Sequence, residues 1–178
     1  MSDNINNRTR LIEITALCKR YCEVCEEASE YTKMELTERA LDLLPRIYWN
    51  FFDLEPELIS LEEDGYLSTY VDEEIYESIR GKIAAVMGSD DIYLDTFEED
   101  MRYSETPISA SISEGMADIF QPLFNFVSVV RDSEGEQMEE AFIQCKEDFV
   151  EYWSQTLCNV MKALNNIKYS KTLNEEDL

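Results

Sequence analysis

From Leu11 onward, apolar residues return in steps of three and four. Leu11, Ile14, Cys18, Tyr21, Cys25 and Ala28 form one stripe, which predicts a first amphipathic helix with residues 1–8 frayed ahead of it. Thr32 followed by Glu35 is a capping-box pattern and predicts the start of a second helix. Its apolar positions are Leu36, Ala40, Leu43 and Leu44, continuing past Pro45 as Ile47, Tyr48, Trp49, Phe51 and Phe52. A proline removes one helix hydrogen bond, so a kink or a restart is expected at Pro45, and Pro56 ends the element. Residues 57–71 read as a loop. Asp72 is placed to cap a third helix with Ile75, Ile79, Ile83 and Val86 on one face, and Gly88 fits the position just past its end. Residues 89–106 fit either an extended segment or one short helix. Pro107 suits the first turn of a fourth helix, which runs through Ile108 to Val130, is kinked at Pro122 and is closed by Gly135. Met138, Phe142, Cys145, Phe149, Tyr152, Thr156, Val160, Ala163 and Ile167 then mark one long last helix. The pattern predicts an all-α, single-domain bundle of five or six mostly antiparallel helices over residues 1–169, with a loose acidic tail over 170–178.

Composition supports that picture and adds charge. Of 178 residues, 44% are hydrophobic and 11% aromatic, too many for an acidic disordered chain. Five glycines and four prolines are few breakers, which favours long helices. The chain carries 39 acidic and 15 basic residues, a net charge of −24, and no histidine. Without histidine there is no Ser-His or Cys-His nucleophile pair and no imidazole metal ligand. The negative charge argues against direct contact with nucleic acid or anionic membranes, which both need positive charge. No apolar run is long enough to span a bilayer, and Met1 to Arg10 lacks the apolar core of a signal peptide. A cytoplasmic chain with free thiols is expected.

Candidate chemistry is sparse. Cys22 and Cys25 have the spacing of a redox or zinc motif, and Cys18 and Cys145 would complete a four-thiol metal site. Yet Cys18 and Cys25 lie on the first helix's apolar stripe, where buried cysteine packs as a small hydrophobe. Cys158 lies off the main stripe of the last helix and is the expected labelling site. Glu27 and Glu30, like Asp148 and Glu151, have the spacing of the carboxylate pairs that hold magnesium in all-helical nucleotide pyrophosphohydrolases. Helical phase turns the first pair away from the core. Asp90, Asp91 and Asp95 lack the glycine and the closing glutamate of a calcium loop. Glu114, Asp118, Gln121, Asn125, Ser128 and Asp132 form one row along the fourth helix, which reads as a narrow water-facing stripe. Tyr48, Trp49, Phe52 and Trp153 exceed what one core stripe needs and are the candidate partner surface.

Two stretches resemble a known family. They are Leu43-Leu44-Pro45-Arg46-Ile47-Tyr48, and Asp118-Ile119-Phe120-Gln121-Pro122-Leu123 ahead of a last helix with Tyr152-Trp153 and Ala163-Leu164. Residues 10–167 resemble an uncharacterised domain-of-unknown-function family of small, acidic, all-helical bacterial proteins. The resemblance implies the helical fold and a bacterial cytosolic origin, and adds nothing to function. Relatives often carry histidines flanking the tryptophan of the last helix, where this chain has Tyr152 and Thr156. The functional expectation is a non-enzymatic acidic interaction or regulatory module, without cofactor, that binds another protein with a basic surface. A carboxylate-dependent metal hydrolase and a nucleic-acid mimic are the alternatives.

Overall fold

A computed structural model describes residues 2–55, 67–95 and 108–170. The chain runs α1 (Ser2–Glu26), a 3-10 turn (Ala28–Glu30), α2 (Lys33–Asp53), α3 (Glu73–Met87), β1 (Ile92–Asp95), β2 (Ile108–Ser111), α4 (Ile112–Asp132), α5 (Met138–Asp148), a π turn (Phe149–Trp153) and α6 (Ser154–Tyr169). The expected all-α bundle is present, with one two-stranded antiparallel ribbon added. Helix α1 already begins at Ser2, within the stretch expected to fray.

Local signals set most boundaries. The Thr32 hydroxyl accepts from the Glu35 amide and the Glu35 carboxylate accepts from the Thr32 amide, so the capping box forms and starts α2. Helix α2 passes through Pro45 without restarting. The Asp72 side chain accepts from the Ile75 amide and starts α3, and Gly88 ends it with a positive φ of 58° that glycine tolerates.

Two further expectations need correction. The fourth helix starts at Ile112 behind Ser111, not at Pro107, because residues 108–111 pair with 92–95. Ile92 lies opposite Ser111 and Asp95 opposite Ile108, so the start of the ambiguous 89–106 stretch is extended after a short 3-10 turn. Residues 96–107 lie outside the described residues, as do most of the expected loop and the tail beyond Ser170.

The last helix is also not one regular helix. Its buried residues include the row Cys145, Phe149, Trp153 and Leu157, three successive steps of four. At ~100° per residue an α-helix would carry that row about 120° round the axis. The wider π turn at Phe149–Trp153 absorbs the surplus and keeps the row on the core. Tyr152 and Thr156, expected on the stripe, are rotated outward in consequence: Tyr152 is exposed and Thr156 half-buried.

Helix α4 is central. It packs against α1, α3, α5 and α6, while α6 packs on α2. Gly115 allows the close approach of α4 to α6, since a Cβ there would stand 2.4 Å from Cγ2 of Val160. Phe51, Phe142, Phe149 and Trp153 form an aromatic knot where α2, α5 and α6 meet, with ring centroids 4.6–5.6 Å apart along its chain of contacts.

Candidate functional site

The thiols of α1 belong to the core. Cys18, Cys22, Cys25 and Cys145 are all buried, and burial raises each thiol's pKa, Cys25 to about 12. Such thiols stay protonated and are poor nucleophiles and poor ligands. Cys145 donates instead to the Pro122 carbonyl at 3.7 Å, tying α5 to α4. Among the described residues, no three His, Cys, Asp or Glu side chains converge closely enough to hold a metal ion. Cys158 is the one exposed cysteine.

The polar row on α4 faces water only at its ends, where Glu114 and Asp132 are exposed; Asp118, Gln121 and Asn125 are half-buried and Ser128 is buried. The segment from Tyr70 to Tyr76 lies over it and uses its side chains as acceptors. Asn125 Oδ1 accepts the backbone amides of Tyr70 at 2.7 Å and Val71 at 3.2 Å. The Tyr70 hydroxyl donates to Asp132 and the Tyr76 hydroxyl to Asp118, at 2.8 and 2.7 Å. Burial, then the bond to Asp118, pushes the Tyr76 hydroxyl well above its ordinary pKa. Ser128, deeper in the row, has a buried hydroxyl without a partner. The row is therefore a seam that fastens the lead-in to α3 and the first turn of α3 to the central helix. A cleft of about 320 Å³ opens beside it, between Leu67, Asn125, Cys145 and Asp148. Burial raises the Asp148 carboxyl pKa against the opposing hydrogen bond from Gln144.

The Asp90–Asp91–Asp95 group is structural where it is described. Asp91 is buried and takes both the Ser113 amide and the Ser113 hydroxyl at 2.7 Å, which places a carboxylate at the positive end of α4. Asp90 pairs with Lys33.

Of the four candidate partner-surface aromatics, the structure exposes two. Trp49 and Phe52 are each 58% exposed, with centroids 5.8 Å apart. Tyr48 is half-buried and stacks on Phe52. Trp153 is fully buried, which removes it from any surface: the π turn swings it into the aromatic knot, and its indole N–H donates to the Cys145 carbonyl at 3.2 Å.

Sequence reasoning missed Lys146. It is buried, and its ammonium donates to the Phe51 carbonyl at 2.5 Å, the Leu54 carbonyl at 3.1 Å and Glu55 at 3.1 Å. It thus caps the C-terminal end of α2, where carbonyls lack helical partners. The signal was present: Lys146 adjoins Cys145 and precedes Phe149 by three, next to the apolar stripe. Its burial changes the surface of α5. Between Glu134 and Glu151 the chain holds Glu134, Glu136, Glu139, Glu140, Glu147, Asp148 and Glu151, and the only base, Lys146, points inward. Among these, Glu134, Glu136, Glu147 and Glu151 are exposed. The result is an acidic wall whose exposed members stand at the two ends of α5, with Glu134 and Glu136 ahead of it and Glu147 and Glu151 at and beyond its last turn.

Fold and surfaces together define an acidic all-α bundle with one short two-stranded ribbon. The chain belongs to the family described as domain of unknown function (DUF5063), whose model matches residues 6–170. It is also similar to a protein of Bacteroides fragilis whose crystal structure was determined in structural genomics. That structure superposes with a TM-score of 0.78 at 30% identity, covering 93% of this chain and 96% of the other. No curated protein matches the chain. Among the described residues, no helix is long and apolar enough to cross a membrane.

Proposed function

We propose that this chain is a non-catalytic protein-binding module whose acidic wall, from Glu134 to Glu151, engages a basic surface on a partner protein. The observation that carries the reading is the inward turn of Lys146. It leaves seven carboxylates on one stretch of chain, four of them exposed, with no outward cation among them. Carboxylates spread along a helix face attract and orient a basic partner at long range. Carboxylates meant for hydrolysis converge on a metal instead.

Charge reversal tests the reading. Capture from an extract of the source cells is compared between the wild type and a variant with Glu136→Lys, Glu147→Lys and Glu151→Lys, at rising salt. A basic protein retained by the wild type, released by salt and missing from the variant is the expected result. An identical set of captured proteins from both would overturn it. Thermal unfolding with magnesium or manganese examines the non-catalytic half of the reading, because a ligand of the native state raises the midpoint. A large metal-dependent rise would favour the carboxylate hydrolase.

A further inference from the structure

From Tyr152 to Asn174 the sequence contains no Asp or Glu, in a chain with 39 of them. Helix α6 lies in this run and packs against α2. The two helices are antiparallel, since Lys168 reaches Glu38 near the start of α2 while Tyr48, further along, lines a groove with Ser154 and Cys158. That groove has a volume of about 450 Å³, and its other walls are Gln155, Asn159 and Lys162. No carboxylate lines it. Beside it stand the exposed rings of Trp49 and Phe52, joined to the groove wall by the stacking of Phe52 on Tyr48 at 6.4 Å. A protrusion and a depression thus lie side by side on one face, the arrangement a self-complementary two-fold contact requires.

Charge selects the occupant. Two bodies of −24 repel one another, so two copies can meet only where carboxylates are absent or neutralised. The acids that flank this face on α2 are neutralised: Glu38 by Lys168, Asp42 by Arg46 and Asp53 by Arg10. A basic partner finds more charge on α5. A face with two exposed rings, no carboxylate in its groove and Lys162 as the charged side chain there sets no like charge against a second copy, which is itself strongly acidic, and that copy supplies rings to fill the groove.

We propose that the α2–α6 face is the contact between two copies of this chain, with Trp49 and Phe52 of each copy seated in the other's groove. The surface adjoins the acidic wall at Glu151, one turn ahead of Ser154 and Gln155, but contains none of its carboxylates, and the proposal stands whether or not the wall binds a partner.

Sedimentation velocity of the full chain tests it. The expected species is a dimer of two 20.8 kDa chains. Trp49→Glu with Phe52→Glu should give monomer with an unchanged helical spectrum. Gln155→Glu, which sets a carboxylate in the groove without touching the rings, should independently weaken association. Because Cys158 lines the groove, a short bismaleimide should join the wild-type copies there, and Cys158→Ser should abolish the cross-link and keep the dimer. Added salt should strengthen the dimer by screening repulsion, the opposite of its effect on a basic partner at the wall. A wild-type chain that stays monomeric at both low and high salt would overturn the proposal and leave the face to a partner of another kind. A dimer indifferent to both sets of groove and ring variants would overturn it as well.

Discussion

Single residues decide how tightly the helices of this bundle meet. Gly115 is the sharpest case. Its missing Cβ is the space that Cγ2 of Val160 fills, at 2.4 Å from where the Cβ would stand. Val160 is buried and stiff at χ1, so it has no free rotamer into which to retreat. Gly115→Ala should therefore destabilise the fold by about 1–3 kcal/mol, the usual range for overpacking. Val160→Ala in the same background should recover part of the loss, because it removes the methyl group that clashes. Urea unfolding of the two single variants and the double variant measures this. If Gly115→Ala unfolds at the wild-type midpoint, the approach of α4 to α6 is looser than the geometry states. Asp91 and Lys146 act at the same scale, each setting a charge against the end of a helix it does not belong to: Asp91 at the start of α4, Lys146 at the end of α2.

At the scale of elements, the seam between α4 and the segment from Tyr70 to Tyr76 is held by acceptors on α4. Asn125 serves two backbone amides with one oxygen. Asn125→Ala leaves both amides without that acceptor, at roughly 1–3 kcal/mol for the unmet bonds. Amide exchange at Tyr70 and Val71 should quicken sharply while the middle of α4 stays protected. Unchanged exchange at those two amides would show that the seam is held elsewhere. The elements themselves were largely legible in the sequence. Thr32–Glu35, Asp72 and Gly88 mark boundaries through their own backbone chemistry, and the periods of α1 through α4 need no tertiary information. Three features were not legible, for one shared reason: each depends on a neighbour far along the chain. The β1–β2 pairing needs residues 108–111 opposite 92–95. The π turn shows only when the core chooses Trp153 and Leu157 over Tyr152 and Thr156. The polar row on α4 looks solvated until another segment is laid over it. The candidate surface was half legible, since an aromatic surplus at Tyr48, Trp49, Phe52 and Trp153 is visible but its split between core and exterior is not.

At the scale of the whole molecule, charge acts on stability as well as on contacts. A net charge of −24 on one small domain repels itself, and unfolding relieves the repulsion. Moderate salt should raise the urea midpoint of the wild type by screening that repulsion. A midpoint independent of salt would mean that local ion pairs such as Arg80–Glu77 and Lys33–Asp90 already compensate the excess. The charge is also unevenly laid out. The last helical stretch is acidic as far as Glu151 and free of acids from Tyr152, so its sign changes within the π turn that corrects its phase. One helical stretch therefore carries two surfaces of different character, joined at the π turn. A positive surface is drawn to the half that ends at Glu151, and the half that begins at Tyr152 offers it no carboxylate to hold.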